Sequence, residues 1–150
     1  MAKSSSAMEN KDQVLHKLDE ILEFELSGIT RYLHYSFMVF GPNRIPITKW
    51  MRDQATDGLD HAAQVGEWIT ALSGHPTVKV GATPEGNRHD IKTILDEALE
   101  FELTGLKRYH ELLDQVRDRH VALEEWTRDL ICQEQDHIYE IEKMLHSRTD

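Results

Sequence analysis

Five side chains in this sequence have the types and spacing of a metal-binding set. Glu134 and His137 stand three apart in the run Glu134-Gln135-Asp136-His137, a separation that projects both from one helix face toward a shared ion. Glu25 and Glu102 hold equivalent places in two near-copies of one segment, LDEILEFELSGITRY at residues 18–32 and LDEALEFELTGLKRY at residues 95–109. Eleven of the fifteen positions are identical, a match that chance does not produce at this length. In the first copy Leu18, Leu22, Glu25, Ile29 and Tyr32 follow the three–four alternation of one helix face; Leu95, Ala98, Glu102, Leu106 and Tyr109 do so in the second. A carboxylate in an apolar stripe is costly unless it is paired or binds a metal. Two equivalent ones suggest an ion held between helices. His61 lies on the inward stripe of a further helix, and the resulting oxygen and nitrogen donors suit iron or manganese, with zinc as a substitute. The competing reading is a buried polar network without metal, because Glu-x-x-His by itself is common on helix surfaces.

Four long helices must position these residues. The first is expected from about Asp12 to Phe40, roughly 42 Å at about 1.5 Å per residue, and Gly41-Pro42-Asn43 ends it. The second runs from about Ile47 to Leu72, with Pro46 at its start and Met51, Gln54, Gly58, His61, Val65 and Ile69 inward. Residues 73–89 form the one long connection, which implies a crossover along a bundle rather than a tight turn. The third helix spans about Asp90 to Val116 and the fourth about Val121 to His146, with Leu123, Trp126, Leu130, Glu134, His137, Ile141 and Met144 inward. The fold class is therefore all-α: an up-down four-helix bundle of two hairpins related by a pseudo-twofold axis. Residues 1–10 are expected to be a disordered tail and residues 11–150 one domain.

Composition narrows the function. The formal net charge of −10 argues against a nucleic-acid surface, which needs clustered Lys and Arg, and fits a protein that attracts cations. One cysteine, Cys132, excludes an intrachain disulfide; it sits on a helix flank and is expected to pack. No apolar run approaches the roughly 20 residues that span a bilayer, and residues 1–11 carry no hydrophobic signal segment. No membrane partner is expected, and a cytoplasmic location is the default.

With these residues in place the chain resembles the ferritin-like di-iron carboxylate proteins, bacterioferritin most closely, over roughly residues 12–146. The family places one Glu on each of the first and third helices and a Glu-x-x-His on each of the second and fourth. Glu25, Glu102, Glu134 and His137 match those positions, and His61 matches the histidine of the second helix. The resemblance makes Tyr32, seven residues after Glu25, a tyrosine kept beside the metals. It implies two iron ions per chain, and Fe²⁺ with O₂ or H₂O₂ as the reacting partners.

The sequence departs from the family in three places. The bridging Glu expected three residues before His61 is Gly58, and Asp57, close to the same face, is the candidate substitute. The methionine that would hold haem is Leu59, so no haem is expected. The chain ends 13 residues after His137, short for the family's fifth helix. A homo-oligomer, a dimer or a shell of about 12 subunits, is therefore favoured over a cage of about 24. Two functions follow. One is a ferroxidase that binds and oxidises Fe²⁺ and stores Fe³⁺ if the subunits close a shell. The other is a non-storing metal-binding or structural protein, or a di-metal oxidase or peroxidase, with an impaired site.

Overall fold

The computed structural model describes residues 8–146. Four helices carry most of them: α1 Lys11–Met38, α2 Arg44–Ala71, α3 Ile91–Val116 and α4 Val121–Leu145. No strand forms among the described residues. The tail expected over residues 1–10 lies, for residues 1–7, outside them; residues 8–10 differ from that expectation, because Met8 packs against the core and the Asn10 side chain donates to the Gln115 carbonyl at 2.9 Å.

The helix ends follow from local chemistry. α2 begins at Arg44, three residues before the expected start, and takes Pro46 into its first turn. The missing N–H is harmless there, because the first four amides of a helix have no partner within it. α1 stops at Met38, where Val39 turns extended, and Gly41 supplies the positive φ of 121° that the reversal into α2 requires. Asp90 caps α3 by accepting from the Thr93 amide at 3.1 Å and the Thr93 hydroxyl at 2.6 Å. His120 caps α4 by accepting from the Leu123 amide at 3.1 Å.

The crossover is pinned along α1 from one end to the other. Thr77 donates its amide to Asp19 at 3.1 Å, Gly81 donates to the Glu23 carbonyl at 3.0 Å, His34 Nε2 meets the Gly86 carbonyl at 3.1 Å, and His89 Nδ1 meets the Met38 carbonyl at 2.9 Å. The chain therefore climbs back along α1 before α3 begins, so α2 and α3 run parallel while each hairpin is antiparallel. The helices run up, down, down, up.

Two apolar clusters fill the bundle, one around Leu18, Val65, Leu112 and Leu130, the other around Tyr35, Met51, Leu95 and Ile141. Apart from Phe24, which joins the second cluster from just before Glu25, the residues of the two clusters are separated on each helix by the buried polar positions Glu25, His61, Glu102 and Glu134. The polar layer therefore crosses the bundle between two dry ends. Two sequence expectations differ here. Met144 is 37% exposed, because Leu145 takes the packing position in the last turn of α4. Cys132 is exposed rather than packed.

The two copies of the repeat meet at Phe24 and Phe101, whose rings stack at 4.1 Å and 9°. Arg108 lies over Phe24 at 5.0 Å and Arg31 over Phe101 at 4.7 Å, so the arrangement repeats under exchange of the hairpins. Each ring rests on a glycine of the opposite copy. A Cβ on Gly105 would lie 2.6 Å from the Phe24 ring, and one on Gly28 would lie 2.8 Å from Phe101. We expect Gly105→Ala to destabilise the protein by about 1–3 kcal/mol through overpacking, despite the roughly 1 kcal/mol that Ala gains over Gly in a helix. Gly66→Ala, with nothing within 4 Å of the new Cβ, should raise stability instead. Thermal unfolding of the two variants, shifted in opposite directions, checks the account.

Candidate metal centre

All four helices bring side chains into the polar layer. α1 contributes Glu25, 5% exposed, α2 His61, 2%, α3 Glu102, 3%, and α4 Glu134, 3%. His137, one turn beyond Glu134, is half-buried at the edge. Two groups of ligand atoms form: Glu25, His61 and Glu134 in one, and Glu102, Glu134 and His137 in the other, each with its atoms within 4.8 Å of one another. Glu134 belongs to both. A cavity of about 20 Å³ opens among these five residues and Gln54.

Each ligand is oriented by a neighbour, and the neighbours pair by the same exchange of hairpins. Tyr32 donates its hydroxyl to Glu102 Oε1, and Tyr109, its counterpart in the second copy, donates to Glu25 Oε1 at 2.8 Å. His61 Nε2 lies 2.9 Å from Gln133 Oε1, while Asp129 accepts from the Gln133 amide nitrogen at 2.9 Å. That contact fixes Gln133 Oε1 as an acceptor, so His61 carries its proton on Nε2. Nδ1 then faces Glu25 at 3.7 Å and Glu134 at 3.6 Å. Asp57 Oδ2 stands 3.5 Å from His137 Nε2 in the matching place. Such outer contacts set the ring orientation of metal-binding histidines.

The electrostatics are those of a site short of positive charge. Burial raises the Glu134 carboxyl well above the usual carboxylate range, and the facing Glu102 and Glu25 push it further. Burial by itself would lower His61, but the Glu25 carboxylate, with Gln133 and Asp57, overcomes it and raises the imidazole to about 9. Tyr32 and Tyr109 are held well above 10, first by burial and then by the carboxylates they touch. Glu134 Oε2 and Gln54 Oε1 are buried without a hydrogen-bond partner among the described residues. An unpartnered carboxylate oxygen between two ligand groups fits a bridging position for a pair of cations, and the donor set fits iron.

Of the residues singled out from sequence, Glu25, His61, Glu102, Glu134 and His137 come together, and Tyr32 stands behind Glu102. Asp57 does not enter either ligand group; its side chain is about half exposed and faces His137. Gly58 faces the layer, where an added Cβ would meet Ile29 Cγ1 at 3.3 Å and Glu25 Oε2 at 3.8 Å. Sequence reasoning missed Tyr109, although the repeat marks it as the twin of Tyr32. It also missed Gln133, whose signal is its place four residues before His137, matching Asp57 before His61. Leu59 lies on the outside of α2, 61% exposed.

Comparison with known proteins agrees with this geometry. The family described as Ferritin-like domain matches residues 15–148, and the chain belongs to it. The fold is shared with a structure described as ferritin like, diiron-carboxylate proteins from Bacillus anthracis str. Ames: TM-score 0.87, 25% identity, covering 92% of this chain and 99% of that one. Bacterioferritin of Rhodobacter capsulatus, with a metal-free dinuclear site and haem iron, aligns at TM-score 0.79 and 22% identity over 89% of this chain and 84% of that one. Chlorobium tepidum ferritin aligns at TM-score 0.80 and 19% identity over 89% and 82%. No curated protein sequence matches the chain.

The raised imidazole has a measurable consequence. A group whose folded pKa exceeds its unfolded value stabilises fully below the unfolded value and loses that contribution as pH rises through the folded one. For His61 the window runs from 6.5 to about 9, and the raised Glu134 acts in the same direction from lower pH. The metal-free protein should therefore lose thermal stability between pH 6.5 and about 9, and His61→Gln should flatten that slope. Thermal unfolding in chelator across the window tests it; a profile that rises with pH would contradict a charged His61.

Proposed function

We propose that the protein is a ferroxidase-type iron-handling protein that takes two Fe²⁺ ions per chain as substrate. The observation that carries the reading is the pair of ligand groups sharing Glu134. Glu25 and His61 would hold one ion, Glu102 and His137 the other, with Glu134 between them. Bound iron supplies one-electron chemistry: two Fe²⁺ give two electrons, which with two protons reduce O₂ to H₂O₂ or H₂O₂ to two waters. The chain's own residues collect, orient and exclude. Tyr109 and Tyr32 hold the terminal carboxylates, Gln133 and Asp57 set the imidazoles, and the apolar clusters keep bulk water from either end of the layer.

Three further readings accompany this one. Residues 11–150 act as one domain, which Met8 and Asn10 join through core packing and the hydrogen bond to Gln115. The chain self-associates, as a dimer or a shell of about 12 subunits; Leu33 and Phe37 on the outer face of α1 and Phe40 just beyond its end are 42%, 56% and 61% exposed, which supports such an interface. No haem is bound at Leu59. No helix among the described residues is long and apolar enough to cross a membrane. Gly58 favours a second reading, a metal-binding protein whose weakened site oxidises iron slowly and stores none.

The test is anaerobic loading with Fe²⁺ followed by oxidant, read by ultraviolet absorbance of Fe³⁺. Glu134→Ala should slow oxidation at least about tenfold more than Glu25→Ala, because removal of the shared carboxylate loosens both ions while loss of Glu25 loosens one. Equal losses would argue against a shared bridge, and a parent protein that takes up no iron would end the ferroxidase reading.

A further inference from the structure

The two hairpins repeat so closely that the places where they differ carry information. With His61 aligned on His137, Asp57 falls on Gln133, Val65 on Ile141 and Ala62 on Ile138. Two positions that face the metal layer break the pattern. Gly58 stands where α4 has Glu134, and one turn earlier Gln54 stands where α4 has Leu130. The half that lacks a carboxylate has an amide in place of an aliphatic side chain.

That amide is in an unusual position. Gln54 is 8% exposed, it lines the same small cavity as Glu25, His61 and Glu134, and its Oε1 has no partner among the described residues. Leaving a buried carbonyl oxygen unpaired is unfavourable, and the matching place on α4 holds the aliphatic Leu130 instead. Packing alone therefore gives no reason for glutamine. The other residue of the cavity with a buried, unpaired side-chain oxygen is Glu134, at Oε2, so two residues lining one cavity each hold an oxygen without a hydrogen-bond partner among the described residues. Gly58 keeps that space open, since it extends no side chain between Gln54 and His61.

We infer that Gln54 is a metal-centre residue of this chain: its amide oxygen serves as a neutral donor to one of the two cations, in the half of the site that lost its carboxylate at position 58. The inference rests on the two-ion reading above. A neutral donor completes the coordination of a divalent ion without restoring the missing negative charge, and it requires no change in protonation when the ion binds.

Co²⁺ is a suitable probe, because its visible absorption reports its ligands and it is not oxidised by air under these conditions. The full chain as purified is titrated with Co²⁺ by calorimetry and absorption, for the parent, Gln54→Leu and Gln54→Glu, with thermal unfolding of each metal-free protein alongside. Gln54→Leu should bind the weaker of its two ions at least about tenfold less tightly, with an altered cobalt spectrum, while its metal-free Tm stays at or above that of the parent. Gln54→Glu, which keeps an oxygen donor and adds charge, should bind at least as tightly as the parent, and this variant carries the test if the leucine variant fails to fold. Two ions bound by Gln54→Leu with parental affinity and spectrum would overturn the inference and leave the ferroxidase reading standing. Equal weakening by Leu and Glu would overturn it in favour of a packing role. A parent that binds no Co²⁺ and no Fe²⁺ would remove both readings together.

Discussion

Three carboxylates buried in one layer of a helical bundle set the terms for everything around them. Glu25, Glu102 and Glu134 are each 5% exposed or less, and the cost of removing an ionised group from water is several kcal/mol even after relaxation. One charged imidazole and two phenolic hydroxyls offset part of that cost, and the raised Glu134 carboxyl offsets more by taking up a proton. Every one of these compensations can yield to a cation. The tyrosines donate to one oxygen of Glu102 and of Glu25, His61 keeps Nδ1 toward the carboxylates, and Glu134 Oε2 has no hydrogen-bond partner among the described residues.

The layer can be strained because its surroundings are not. The apolar clusters on either side bury Leu18, Val65, Leu112 and Leu130 at one end and Met51, Leu95 and Ile141 at the other, and the crossover is tied to α1 at four places along its length. The close stack of Phe24 on Phe101, allowed by Gly105 and Gly28, brings the two repeats near enough for Tyr32 and Tyr109 to reach across to the opposite glutamate. Duplication thus delivers more than two ligands. It delivers a ligand and the side chain that orients the other copy's ligand, so neither hairpin completes its own half.

What could be read from sequence follows from this division. Helix periodicity and the exact spacing of the repeat placed Glu25, Glu102 and Tyr32 on inward faces, because those positions are fixed by the helix itself. The Glu134–His137 pair was legible for the same reason. Asp57 was not, since spacing put it near the His61 face while its side chain turns to His137 across the α2–α4 seam. Cross-helix contacts of that kind, including Gln133 with His61, depend on the relative rotation of two helices, which no single helix encodes. His120 was obscure for a simpler reason: histidine is a rare cap, so its position before Val121 carried little signal.

On the proposed function, the asymmetry at position 58 bears differently on the two oxidation states of iron. Three carboxylates set against two divalent cations leave one excess positive charge, and against two trivalent cations they leave three. A neutral amide changes neither sum. The attraction between a buried charge and its counter-ion grows with the charge on the ion, so a missing carboxylate withdraws more from the ferric product than from the ferrous substrate. On the proposed function, capture of Fe²⁺ therefore suffers less than retention of Fe³⁺, and the oxidised ions are held by a site that balances them poorly. A glycine in place of a bridging glutamate then shifts the layer away from a permanently loaded centre and toward one that passes its product on.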